Sequence, residues 1–207
     1  MRKMLNGLKK ITIFSVVLLL LCGIMYPLLV TGISQLLFPN KANGSIINVN
    51  GKEVGSELVG QDFTDERFMK CRPSAVNYNT YTEEEKKDGT YTGVSSGSDN
   101  YAPSNPELIT RVKEDMDEFL KNNPDVTKED IPTDLLTASG SGLDPHISPE
   151  SAKVQIPALA KSTGLSENEL QEIVDNNTKD KFLGVFGEKT VNVLKVNLEI
   201  AKRLEII

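Results

Sequence analysis

A single histidine, two cysteines and no tryptophan occur in the 207 residues of this chain. Each shortage removes a class of chemistry. A structural zinc site takes about four Cys or His ligands, and His146, Cys22 and Cys71 cannot supply them. Cys22 lies inside a long apolar run and Cys71 well beyond it, so no disulfide framework is expected either. Neither a G-x-x-x-x-G-K-[ST] phosphate loop nor an H-E-x-x-H zinc motif occurs. One catalytic pattern matches: Gly93-Val94-Ser95-Ser96-Gly97 fits G-x-S-x-G. That elbow works because a strand delivers the serine and a helix starts at once behind it. Here "SDNYAPSNP" follows, which cannot open a helix, and the base would have to be His146. A chance match in a Ser/Gly-rich loop is the simpler reading, and no catalytic residue is assigned.

Acidic residues are absent from the first 40 positions, where Arg2, Lys3, Lys9 and Lys10 precede 28 uncharged residues, Ile11 to Phe38. As a helix this run would measure ~42 Å at ~1.5 Å per residue, more than a bilayer's hydrocarbon core demands. The apolar part of a signal peptide is usually only ~7–15 residues, so the run reads as an uncleaved anchor over residues 11–36 with a bend near Gly23 and Pro27. A lipoprotein reading fails at Leu21, which precedes Cys22 where a small residue would be needed. Four basic residues flank one end and the nearest charge at the other is Lys41. The positive-inside rule therefore makes residues 1–10 a cytoplasmic tail and 37–207 an extracytoplasmic domain. With four of the 23 basic residues in that tail, 19 remain against 29 acidic ones, a net charge of −10. Such a surface excludes nucleic acid as a partner and repels anionic lipid, leaving the bilayer contact to the anchor.

The domain reads as α+β, a single mixed fold behind one transmembrane helix. Short β-branched runs about Asn50-Gly51 predict a hairpin in residues 45–60. Residues 72–103 are polar and lack helical periodicity. Asn105 and Pro106 open a helix with Leu108, Ile109, Val112, Met116, Phe119 and Leu120 on one face, ending before Pro124. Ser148 opens another over 149–164, kinked at Pro157 and stopped at Gly164. Ser166 and Glu169 form a capping-box pattern for a third. From Thr190 the chain alternates like a strand at Val191 and Val193, then turns to helical spacing at Leu194, Asn197, Ile200 and Leu204.

One loop stands apart. "TASGSGLDPHIS", Thr137 to Ser148, alternates Ser and Gly and then carries the only histidine just before a helix start. Free N–H groups at a helix start bind anions, so Ser139, Gly140, Ser141, Gly142, Asp144, His146 and Ser148 form a candidate ligand or partner-docking loop. Turn chemistry alone accounts for the same residue types: glycines for tight turns, Asp144 and Ser148 as local caps.

Seven blocks, in order, carry a resemblance: "YPLL" (26–29), "FPNKANGS" (38–45), "GSELVGQDF" (55–63), "RPSA" (72–75), "SGSDNYAPSNPEL" (96–108), "TASGSGLDPHISPESA" (137–152) and "VNVLKVNL" (191–198). Together they span nearly the whole chain, which closely resembles the C chain of bacterial Kdp-type potassium-transporting P-type ATPases. The resemblance implies a non-catalytic subunit in the cell membrane. Its implied partners are a potassium-channel-like subunit, an ATP-hydrolysing P-type subunit and a small single-helix subunit. It further implies a catalytic-chaperone role, raising the ATP affinity of the hydrolysing subunit, with ATP as the only cofactor suggested. Ala158 and Thr163 stand where the family commonly has arginines, and Glu169 where an L-S-x-x-Q signature needs Gln, which weakens phosphate binding there. An extracytoplasmic domain would also have to influence cytosolic ATP indirectly.

On this reading the 137–148 loop helps dock the chain to the potassium-conducting partner. Phe38 and Pro39 at the membrane exit and the polar loop 91–105 are further contacts. Gly23, Pro27, Thr31 and Gly32 would let a neighbouring membrane helix approach closely. The rival reading is a free-standing anchored module, either a solute-binding protein or a serine hydrolase.

Overall fold

The computed structural model describes residues 2–91 and 93–207. The chain divides into two compact units, one ending at Ile46 and the other running from Ile47 to the C-terminus.

The first unit is a long helix with a folded exit. Helix α1 (Arg2–Leu20) passes through a π-helical turn, Leu21–Met25, into α2 (Tyr26–Leu37). Proline has no N–H to donate, so at Pro27 the regular i→i−4 ladder must break. The chain answers with a wider turn in which the Tyr26 N–H reaches Leu21 O, five residues back. The expected bend near Gly23 and Pro27 is thus a π turn within a continuous rod. Its window Leu5–Leu37 is long and apolar enough to cross a membrane, with its side chains uncovered by protein. Phe38 leaves helical geometry (φ −139°, ψ 54°), and Pro39 starts the short α3 (Pro39–Ala42). The exit is locked by a reciprocal amide pair: Gln35 donates to Asn43 at 3.0 Å and Asn43 donates back at 3.2 Å.

In the second unit the hairpin falls where Asn50-Gly51 predicts it. Strands β1 (Ile46–Val49) and β2 (Lys52–Ser56) flank the pair, with φ of 51° and 80° at its two residues, the signature of a type I′ turn. After the small capped helix α4 (Glu83–Asp88) comes α5 (Pro106–Asn122), where Asn105 accepts from the Glu107 N–H at 2.8 Å. The apolar face of α5 is shallower than its periodicity suggests. On that face only Phe119 is buried, and Ile109 is exposed.

The core belongs to the last third of the chain. Strand β3 (His146–Ile147) precedes α6 (Pro149–Lys153), α7 (Ile156–Thr163) and α8 (Glu167–Asn176). Strands β4 (Thr178–Lys179) and β5 (Thr190–Asn192) follow, then α9 (Val193–Arg203). The single kinked helix expected over 149–164 is instead two, because Pro157 serves in the first turn of α7 rather than inside one rod. The strands form an antiparallel sheet in the order β3-β5-β4, with Ile147 and Thr178 both opposite Val191. Helices α6 to α9 bury Ala152, Ile156, Leu159, Leu170, Ile173, Val196 and Ile200 against Ile147 and Val191. The Ser166–Glu169 capping box forms as read, at the start of α8.

Among the described residues before Ile147, one belongs to that buried cluster: Met69. Its backbone is held by a side chain from α9. Asn197 accepts from the Met69 N–H at 2.8 Å and donates to the Met69 carbonyl at 2.9 Å. Gln155, between α6 and α7, does the same to Lys70, accepting at 2.8 Å and donating at 3.3 Å. Two nearly inaccessible amides thus take the place of a neighbouring strand. Asn197 therefore holds a chain segment, although its helical spacing marked it as a core-facing position. Replacing Asn197 by Leu leaves two buried backbone groups unpaired and should cost about 2–5 kcal/mol. The exposed Asn176→Leu should stay within about 0.5 kcal/mol. Urea unfolding of the full chain followed by circular dichroism measures both, and equal midpoints would dismiss the amide clamp.

Candidate functional site

The Thr137–Ser148 loop is packed from several directions. Just upstream, Asp134 in a 3₁₀ turn aims its carboxylate at the start of α6. It accepts from the Ser148 N–H at 2.7 Å and from the hydroxyls of Ser148 and Ser151. The helix start that could attract an anion already holds one, supplied by the chain itself. Ser148 also caps the helix, accepting from the Ser151 N–H. Within the loop the hydroxyls stabilise the turn: Ser139 accepts from Gly142 N–H at 2.9 Å and Ser141 from Leu143 N–H at 3.1 Å.

The loop's carbonyls receive donors from distant segments. Ser141 O accepts from Gly97 N–H at 2.8 Å and Ser96 hydroxyl at 3.0 Å. Gly142 O accepts from Ser74 hydroxyl at 2.6 Å, and Leu143 O from Gly60 N–H at 2.8 Å. Pro145 O accepts from Val193 N–H at the start of α9. Asp144 pairs with Arg72 at 3.1 Å while accepting from the His146 N–H, and the His146 ring nitrogen Nδ1 lies 3.2 Å from it. Burial pushes the Asp144 carboxyl up, but the His146 hydrogen bonds and the Arg72 charge outweigh it and hold it below the ordinary carboxylate value. The candidate residues therefore come together around one folded loop. Gly140 and Ser141 face outward, His146 is half exposed, and Ser139 and Gly142 are buried.

Arg72, Ser74, Tyr78, Gly60 and Asp134 complete this hub and were not singled out as site residues from the sequence. The Tyr78 hydroxyl donates to Arg72 O at 2.7 Å, and the Tyr78 N–H donates to Ser74. Beside them burial pushes the Cys71 thiol up to about 12, leaving it protonated and unreactive at neutral pH. Arg72 and Ser74 stand in the "RPSA" block, the one hint the sequence offered. Their partners lie about seventy residues away, beyond the reach of any local pattern.

Ser95 does not sit on an elbow. Its N–H donates to Asn79 at 2.8 Å, its carbonyl accepts from the same amide, and irregular chain follows. Elsewhere an open concavity of about 720 Å³ lies among residues 62–70, the end of α5 and α7. Ala158 lines it, together with Lys70, Lys121 and Lys161 and the carboxylates of Asp62, Glu66 and Glu118. Lys161 is held by Asp125, and Lys70 by the carbonyls of Phe63 and Asp65. Ammonium and carboxylate groups balance there, so it presents no concentrated positive surface to a phosphate.

Comparison with known proteins decides the family. Residues 8–202 match the family model described as KdpC: K+-transporting ATPase, c chain. The chain belongs to this family. It is 70% identical over 199 residues to the potassium-transporting ATPase KdpC subunit of Clostridium kluyveri, covering 96% of this chain and 95% of that one. It is 63% identical to the subunit of the same name from Clostridioides difficile, over 98% and 100% of the two chains. A third, from Caldanaerobacter subterraneus, is 47% identical over 96% of each. Membership and the apolar helix Leu5–Leu37 together make this a membrane-anchored chain.

Two glycines separate the loop's packing from its surface. Gly142 has φ +67°, and a Cβ there would lie 2.7 Å from Gly97 O and 2.8 Å from Val76; at Gly140 nothing lies within 4 Å. Gly142→Ala should destabilise the full chain by about 2 kcal/mol or more, against about 0.5 kcal/mol or less for Gly140→Ala. Similar unfolding midpoints for the two variants would contradict the packing described.

Proposed function

We propose that this chain is an accessory, non-hydrolysing subunit of an ATP-driven potassium-uptake complex, acting in its assembly and in coupling. The observation that carries the reading is the family match over residues 8–202, which takes in the anchor and the folded domain together. Its relatives are named subunits of a potassium-transporting ATPase. The partners on this reading are a potassium-conducting chain, an ATP-hydrolysing chain and a small single-helix chain.

The basic flank of the anchor supports a cytoplasmic N-terminus and an extracytoplasmic domain. In that orientation any rise in the ATP affinity of the hydrolysing subunit is relayed through the membrane helix or the conducting chain, without direct contact between ATP and the domain. Three regions serve docking: the outward rim of the 137–148 loop at Gly140, Ser141 and His146; the exit at Phe38 and Pro39; and the anchor positions Gly23, Pro27, Thr31 and Gly32. Small residues in a membrane helix favour close helix contact. The pairing of Ser95 with Asn79, away from any strand-to-helix elbow, favours docking over the serine-hydrolase alternative.

Tagged chain purified in mild detergent from cells expressing the other chains of the transport complex should bring down a large polytopic chain and an ATPase chain, with potassium-stimulated ATP hydrolysis. Recovery of the tagged chain alone, from membranes that contain the others, would overturn the reading.

A further inference from the structure

The π turn at Leu21–Met25 closes one gap in the helix ladder and opens another. A carbonyl accepts from the N–H four residues on in an α-helix and five residues on in a π turn. For the Cys22 carbonyl those donors would be residues 26 and 27. The Tyr26 N–H is taken by Leu21 O, and residue 27 is proline, with no N–H. A Ser or Thr three or four residues on can bond back to such a carbonyl, but positions 25 and 26 hold Met and Tyr. The Cys22 carbonyl is left without either regular donor of its own helix.

Depth makes the gap costly. Cys22 stands ~16 Å inside the nearer end of the uncharged run Ile11–Phe38, at ~1.5 Å per residue. That is about half the thickness of a hydrocarbon core. Acyl chains offer no donor, and proline is tolerated in membrane helices where something else satisfies the freed group, such as a neighbouring helix. The approach is open: Cys22 is exposed, and nothing lies within 4 Å of where a Cβ on Gly23 would stand. A glycine beside the freed carbonyl lets a second helix come close.

The freed group selects its occupant by chemistry. It needs an O–H or N–H donor carried into hydrocarbon, which headgroups at the surface cannot supply. A second copy of this chain would meet it through the same surface. The exposed Tyr26 would then face its own image and hold the two backbones apart. A helix of different sequence can set a small residue against Tyr26 and a donor against the carbonyl. We propose that the Cys22 carbonyl accepts a hydrogen bond from a hydroxyl or amide side chain on a membrane helix of a different subunit of the transport complex. The thiol takes no part. The proposal rests on the accessory-subunit reading and gives its anchor a named polar contact.

With only two cysteines in the chain, this carbonyl can be observed directly. Full chain grown on cysteine labelled with carbon-13 at its carbonyl gives two signals in lipid vesicles, and the one that persists in Cys71→Ala is Cys22. Alone, that signal should sit upfield, as an unbonded carbonyl; assembled with unlabelled partner chains it should move downfield. Pro27→Ala returns an N–H to the ladder, so its Cys22 signal should lie downfield without partners. Its recovery of partner chains should fall about threefold, the average worth of one hydrogen bond between membrane helices. An unchanged signal on assembly, or full recovery of partners by Pro27→Ala, would overturn the contact. So would a downfield signal in dilute chain alone, a move that follows the chain's own concentration, or transfer to the carbonyl from water in the complex. Failure of the unsubstituted chain to assemble with partners would instead overturn the accessory-subunit reading beneath it.

Discussion

Two buried amides, Asn197 and Gln155, grip the backbone of Met69 and Lys70, and the folded domain's organisation depends on that grip. The helices and short strands after Ile147 can bury one another's side chains, as a core of Leu, Ile and Val requires. The chain between β2 and α5 cannot, because it is polar and mostly irregular. It acquires a position by lending Met69 to the core and having its peptide groups satisfied by side chains from α9 and the α6–α7 junction. A buried peptide group left unpaired costs more than a made hydrogen bond gains. The arrangement therefore specifies register as well as stability: a slip by one residue would unpair four groups.

The same logic builds the 137–148 loop. Its glycines and serines give it the look of a linker, yet its carbonyls receive donors from Gly60, Ser74, Ser96, Gly97 and Val193, and its aspartate receives Arg72. A loop so fully engaged offers little unmet hydrogen-bonding capacity to a small ligand. It offers a firm, shaped outer rim. That quality suits docking between subunits, where rigid surfaces lose less entropy on association than mobile ones.

Features set by neighbours in sequence were legible. The existence of one long apolar helix, the Asn50-Gly51 turn, the Asn105 and Ser166 caps and the switch from strand to helix after Thr190 each rest on contacts within a few residues. What could not be read was set by contacts distant along the chain. Strands of two or three residues are too short to show alternation. Pro157 permits either a kinked helix or a new helix, and the packing of Ile156 and Leu159 selected the second. Asn197 occupies a core-facing helical position, and nothing local says that its partner is Met69. Arg72 and Asp144 pair across 72 positions.

Native-state hydrogen exchange on the full chain tests the central claim most directly. If the amide clamp holds the irregular segment to the core, the Met69 and Lys70 amides exchange as slowly as those of Val196 and Ile200 in α9, opening only with global unfolding. Exchange at Met69 and Lys70 as fast as at the exposed Val94, with α9 still protected, would contradict the account.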